Sequence, residues 1–187
     1  MVPSALLVLG GARSGKSRFA LESVSRPGVF VATAEAADAD MAQRIERHRR
    51  ERPRGWLTIE EPVKLVGALG ALADERVETV LVDCVTLWVA NLQGRGESDD
   101  RILAEVDALA RLIASRPFDL TLVSNEVGLG VHPPTPAGLR FRDLLGHVNQ
   151  HLAAACDRVV LMVAGLPLTI KDRPQRGTSR AATVQAP

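Results

Sequence analysis

Eight residues near the start of the chain, Gly10-Gly11-Ala12-Arg13-Ser14-Gly15-Lys16-Ser17, fit the pattern G-x-x-x-x-G-K-[ST] at every fixed position. The pattern constrains the fold through what flanks it. An apolar run over 5–9 precedes it and reads as a buried strand, and residues 17–24 follow with helical spacing. A glycine-rich turn between strand and helix aims backbone N–H groups at one spot, and the helix N-terminus adds partial positive charge there. Lys16 can reach the outer phosphates of a nucleotide, and the Ser17 hydroxyl can ligate Mg²⁺. A strand, loop and helix of this kind are expected to bind a nucleoside triphosphate.

The rest of the chain repeats the alternation of strand and helix. Short apolar runs predict strands over 5–10, 28–33, 78–83, 119–124 and 158–164, with a weaker one over 57–59. Runs such as Val80-Leu81-Val82 lack a polar alternate, which suits strands covered on both faces of a parallel sheet. Helices are expected over 15–24, 38–51, 63–72, 99–114 and 136–155. In the last of these, Phe141, Leu144, Leu145, Val148, Leu152 and Ala155 share one face. The expected class is α/β: a P-loop-type, doubly wound, mainly parallel sheet with helices on both faces. Such sheets bind ligands at the carboxyl ends of their strands, where Thr33, Asp83 and Ser124-Asn125-Glu126 stand. The organisation expected is one nucleotide-binding domain over 1–171. Residues 172–187, which mix Arg, Gly, Ser, Pro and Gln without period, read as a flexible tail.

Composition excludes several alternatives. A chain of 187 residues is long enough for a substantial core. Its net charge of +1 gives no global case for nucleic acid or an anionic membrane as partner. Cys84 and Cys156 lie far apart without metal-ligand spacing and read as core residues in a reducing cytosol. There is no basic leader and no apolar run near the ~18 residues of a membrane span. A cytoplasmic protein without membrane insertion is expected.

Three further groups carry chemistry. Asp83 closes the apolar strand before it and stands where a phosphate-loop enzyme places the acidic residue that holds Mg²⁺ directly or through water. A strand-end Asp can also cap the next helix. Glu126 follows another strand, in Ser124-Asn125-Glu126-Val127-Gly128-Leu129-Gly130; it could orient Mg²⁺, accept a proton, or be an ordinary loop carboxylate. The glycines there suggest backbone that bends or approaches a ligand closely. Third, six arginines fall within the eleven residues 44–54. Met41, Ile45 and His48 share a helical face, Arg44 and Arg52 flank His48 at i−4 and i+4, and Pro53 ends the helix. An imidazole among guanidinium groups is biased toward its neutral, nucleophilic form, and arginine forks suit triphosphate oxygens. His48 could therefore attack phosphorus. A solvated charged helix, with Glu46 and Glu51 paired to arginines, is the plainer alternative. A nucleic-acid patch is disfavoured because aromatics make up 3% of the chain. Arg140 and Arg142 could reach the cleft or be solvated.

Taken in order, these motifs become specific. They are Gly10–Ser17, Ala-Thr-Ala at 32–34, Arg-Ile-x-x-His-x-x-x-Arg-Pro at 44–53, Asp-Cys-Val-Thr-Leu-Trp at 83–88, Ser-Asn-Glu-Val-Gly-x-Gly at 124–130, Arg-Phe-Arg-Asp at 140–143 and Val-Ala-Gly-Leu-Pro at 163–167. The chain resembles, from Leu6 to Lys171, the bifunctional adenosylcobinamide kinase / adenosylcobinamide-phosphate guanylyltransferase family of cobalamin biosynthesis. The resemblance implies phosphorylation of adenosylcobinamide by ATP or GTP. It also implies transfer of GMP from GTP to adenosylcobinamide phosphate, with release of pyrophosphate, through a guanylyl-histidine that maps to His48. It carries Lys16 over as catalytic. Nucleotide contacts map to Gly10, Gly11, Ala12, Arg13, Ser14, Gly15, Lys16 and Ser17, to Ala32, Thr33 and Ala34, to Arg49, Arg50, Glu51 and Arg52, and to Glu60 and Asp83. Ser17 and Asp83 are the Mg²⁺ ligands expected from the phosphate-loop pattern, and a homotrimer is the assembly that the resemblance implies. His132 and Pro134 depart from the family pattern in the loop expected to meet the corrinoid. A guanylyltransferase alone and a simple small-molecule kinase are the alternatives within the enzyme class. A guanine-nucleotide switch is disfavoured because the chain lacks an Asn-Lys-x-Asp signature.

Overall fold

The computed structural model describes residues 3–35, 55–75 and 77–173, together with Gln43 and Glu46. Within them the chain forms β1 (Ala5–Gly10), α1 (Lys16–Glu22), β2 (Val29–Ala32), β3 (Leu57–Glu60), α2 (Leu65–Asp74), β4 (Thr79–Asp83), α3 (Val85–Gly94), α4 (Asp99–Ser115), β5 (Asp119–Val123), α5 (Pro136–Ala155), β6 (Arg158–Val163) and β7 (Leu166–Asp172). The strands make one seven-stranded sheet in the order β3-β2-β4-β5-β1-β6-β7. Every neighbouring pair is parallel except β6 with β7. The α/β class and the mainly parallel sheet agree with the expectation from sequence.

The strand period of two sorts the core into two layers. On one face Leu7, Leu9, Val31, Val82 and Leu122 pack with Leu69 of α2, Trp88 of α3, Val106 of α4 and Leu145 of α5. On the other, Leu6, Val8, Phe30, Leu81 and Val160 pack with Ala20 of α1. Trp56 closes this layer edge-on against Phe30, with ring centroids 6.4 Å apart. The helix starts are written in the sequence. The Ser98 hydroxyl accepts from the Arg101 N–H, and Thr135 Oγ1 accepts from the Gly138 N–H with Pro136 in the first turn.

Two elements depart from the sequence-based expectation. α3 carries no helical signature because it is enclosed: Val85, Thr86, Trp88, Val89 and Leu92 are all buried, so no polar face marks a period. β7 is hidden for the opposite reason. It is an exposed edge strand containing Pro167, which reads against a strand. Asp172, which reads from sequence as the first tail residue, is instead the last residue of β7 and pairs with Arg158 across the hairpin. Of the helix expected over 38–51 only Gln43 and Glu46 are described, both helical; the rest of it lies outside the described residues, as do 174–187.

Candidate active site

The loop between β1 and α1 is built around positions that only certain residues tolerate. Gly10 has φ +150, and a Cβ there would stand 2.6 Å from Met162 O and 2.7 Å from Ser14 Oγ. Gly15 caps α1 in the left-handed region at φ 93. Arg13 shares that region at φ 55 without being glycine. Lys16 is 8% exposed and folds its ammonium over the loop, with Nζ donating to Gly11 O at 2.6 Å. Ser14 Oγ is the buried side-chain polar atom that lacks a partner among the described residues.

The neighbouring strands bring the other candidates to the same end of the sheet. Ala32 sits in register with Asp83 on one side and Glu60 on the other. Just beyond, Thr33 locks β2 to β4. Its hydroxyl donates to Cys84 O at 2.6 Å and accepts from the Cys84 N–H at 2.8 Å. The Asn91 side-chain amide of α3 donates to Thr33 O at 2.7 Å and to Pro62 O at 3.0 Å. Burial beside Asp83 pushes the Cys84 thiol up to about 12, so it stays protonated and inert, as a core residue should. Glu35, three residues beyond β2, is held by Arg95 at 2.7 and 2.9 Å. The paired guanidinium keeps the Glu35 carboxyl below its ordinary range.

β5 lies between β1 and β4 in the sheet, so Glu126 stands between the phosphate loop and Asp83. Its N–H donates to Gly10 O at 3.1 Å. Its side chain is tied to a buried polar chain. Asn149 Nδ2 donates to Glu126 Oε1 at 2.9 Å and to Asn125 O at 3.0 Å. Ser124 Oγ donates to Asn149 Oδ1 at 2.7 Å, and Thr86 Oγ1 accepts from the Asn125 N–H at 2.7 Å. The glycines after Glu126 are not required by their conformation: neither Gly128 nor Gly130 has positive φ.

Not every candidate arrives at the site. Arg140 is engaged by Asp99 and the Glu97 carbonyl, at the start of α4. Arg142 contacts Asp143 and His132 Nδ1. His48, Arg49, Arg50, Glu51 and Arg52 lie outside the described residues. Thus Gly10 to Ser17, Ala32 to Ala34, Glu60, Asp83 and Glu126 gather at the carboxyl ends of five parallel strands.

Residues 6–170 match the family described as cobinamide kinase / cobinamide phosphate guanyltransferase. The chain belongs to that family. It is 43% identical over 171 residues to the bifunctional adenosylcobalamin biosynthesis protein CobP of Pseudomonas aeruginosa, covering 90% of this chain and 98% of that one. It is 40% identical over 180 residues to the bifunctional adenosylcobalamin biosynthesis protein CobU of Escherichia coli, covering 89% and 99%. Among solved structures, the P4 protein of bacteriophage phi6 in complex with ADP aligns at TM-score 0.48 and 18% identity, over 88% of this chain and 52% of that one.

In this member of the cobinamide kinase family, the donors available for Mg²⁺ are hard oxygens, the Ser17 hydroxyl and the Asp83 carboxylate. That suits an ion that takes one or two carboxylates and completes its shell with phosphate and water. No cluster of three or more acidic, His or Cys residues competes for it among the described residues. Nor does any helix among them have the length and apolar character to cross a membrane. Sequence reasoning missed Asn149, whose signal was a polar residue between Leu145 and Leu152 on the buried face of α5. It also missed Gly165. Ala164 and Gly165 make a two-residue turn with positive φ, and the Gly165 N–H donates to Ser14 O at 3.1 Å, bracing the phosphate loop from behind.

Proposed function

We propose that this enzyme phosphorylates adenosylcobinamide and then transfers GMP from GTP to adenosylcobinamide phosphate, through a guanylyl group carried on His48. One observation carries the reading. The chain leaves β2 at the carboxyl end of the sheet, beside Thr33 and Asp83, and Arg95 pins Glu35 there at 2.7 and 2.9 Å. The described run 3–35 thus ends at the nucleotide end of the sheet, 13 positions before His48 in the sequence. In the transfer, an imidazole nitrogen of His48 attacks the α-phosphorus of GTP. The bond from that phosphorus to the bridging oxygen breaks, and its electrons leave with pyrophosphate. A phosphate oxygen of adenosylcobinamide phosphate then attacks the same phosphorus and returns the imidazole. Splitting one displacement into two in this way is nucleophilic catalysis. Lys16 and the loop N–H groups hold the phosphates, and Arg49, Arg50 and Arg52 offer forks to their oxygens. Mg²⁺, held by Ser17 and Asp83 when bound with nucleotide, would neutralise phosphate charge. Incubation with α-labelled GTP and Mg²⁺ is expected to give an acid-labile protein label that adenosylcobinamide phosphate chases away. His48→Asn should give none; a label that persists in that variant refutes the assignment.

A further inference from the structure

The two reactions differ in the nucleophile that meets the nucleotide. In guanylyl transfer the acceptor is a phosphate, already ionised, so nothing has to remove a proton from it. In the kinase step the acceptor is an alcohol, which must lose a proton as it attacks. An enzyme running both chemistries on one phosphate loop needs a general base for one of them only.

A carboxylate suited to that task stands between the loop and Asp83. Glu126 is fixed at both ends: its N–H bonds Gly10 O at 3.1 Å, and its Oε1 accepts from Asn149 at 2.9 Å. Among the described residues Oε2 has no hydrogen-bond partner. The holding side chain sits in an unusual place. Asn149 is 5% exposed on a helix face otherwise lined by Leu144, Leu145, Val148 and Leu152. Packing α5 on the sheet requires no amide there, and burying one without partners is costly. Here every polar group is answered. Both Asn149 amide protons are used, its Oδ1 accepts from Ser124, and Thr86 anchors the Asn125 N–H. A fully satisfied buried network of this kind rigidifies what it holds. What it holds at its far end is one carboxylate oxygen, leaving the other to solvent or substrate.

We propose that Glu126 is the general base of the kinase step alone, and that Asn149 is its positioning residue. This rests on the bifunctional reading above. The alcohol oxygen of adenosylcobinamide forms a bond to the γ-phosphorus as its proton passes to Glu126 Oε2. The bond from that phosphorus to the β,γ-bridging oxygen breaks, and its electrons leave with the nucleoside diphosphate. Water later removes the proton from the carboxyl.

The test assays the two reactions separately in the full-length protein, kinase with adenosylcobinamide and nucleotide, transfer with adenosylcobinamide phosphate and GTP. Glu126→Gln keeps the acceptor for Asn149 and so keeps the fold. It should lower kinase kcat by about 100-fold or more, the usual worth of a general base, while transfer stays within about twofold of wild type. Asn149→Ala should lower kinase kcat in the same selective way, with the KM for adenosylcobinamide little changed; a merely structural defect would depress both reactions together. Parallel loss of both activities in Glu126→Gln overturns the proposal, since it would point to a shared role such as holding the metal. Undiminished kinase activity overturns it as well. A wild-type protein active in transfer but inactive as a kinase refutes the base and leaves the transferase half of the reading standing. A wild-type protein inactive in both refutes the reading itself.

Discussion

Among the described residues nothing bonds the Ser14 hydroxyl. Its Oγ is buried and pressed against Gly10, where a Cβ would come within 2.7 Å of it. An unsatisfied buried polar atom costs about 1–3 kcal/mol, and a phosphate oxygen in the loop is the natural partner. Ser14→Ala should therefore raise the stability of the nucleotide-free protein by about 1 kcal/mol and weaken GTP binding by roughly tenfold. Urea unfolding and a titration with GTP read the two effects; a destabilised variant with unchanged affinity would contradict the idea. At this scale the sequence is informative wherever chemistry is contiguous. Gly10 to Ser17 form one uninterrupted pattern, and Asp83 is marked by ending an apolar run. It is silent on Asn149, whose partners Ser124 and Glu126 lie 25 and 23 positions away and are joined to it only by folding.

Elements explain why the loop keeps its shape. The β6–β7 hairpin looks peripheral, yet its turn supplies the N–H that holds Ser14 O, and a Cβ on Gly15 would stand 3.5 Å from the Gly165 Cα. Gly165 has φ 83, a region that an L side chain enters at about 1–2 kcal/mol. Gly165→Ala is expected to lower stability by about that amount and, by moving the turn, to raise the nucleotide KM in both reactions. Gly146, inside α5, is the contrast: a Cβ added there would meet nothing within 4 Å. Gly146→Ala should stabilise by up to about 1 kcal/mol and leave both KM values alone. Steady-state kinetics with thermal unfolding separates the pair. Strands such as β1 and β4 are legible because burial on both faces demands unbroken apolar runs. β6 is legible in the same way, but β7 is not: its alternate apolar residues Leu166, Leu168 and Ile170 all stay exposed at a sheet edge, and Pro167 interrupts the run. α3 is hidden by the reverse condition, enclosure on nearly all sides.

At the scale of the whole molecule, one carboxylate joins segments far apart in sequence. Asp157 begins the turn from α5 into β6. Its Oδ2 accepts from the Ala5 N–H at 3.0 Å, and both its oxygens accept from Arg116, at 2.8 and 2.6 Å. Arg116 also donates to Pro3 O at 2.8 Å from the left-handed end of α4. The first strand, the end of α4 and the α5–β6 turn are thus fastened at the amino end of the sheet, opposite the nucleotide. The Arg116 guanidinium, with help from the Ala5 N–H, holds the Asp157 carboxyl below its ordinary value. Because the folded state depresses this pKa, the stabilisation is fully present above the unfolded value near about 4. It is lost as pH falls through the lower folded value. Asp157→Asn removes the charge but keeps an acceptor for Ala5. It should cost about 1–2 kcal/mol at pH 7, and the gap to wild type should narrow steadily as pH falls below about 4. Denaturant unfolding of both proteins across that range measures the gap. A difference that stays constant would mean that Asp157 acts by shape alone and that its ion pair contributes nothing linked to protons.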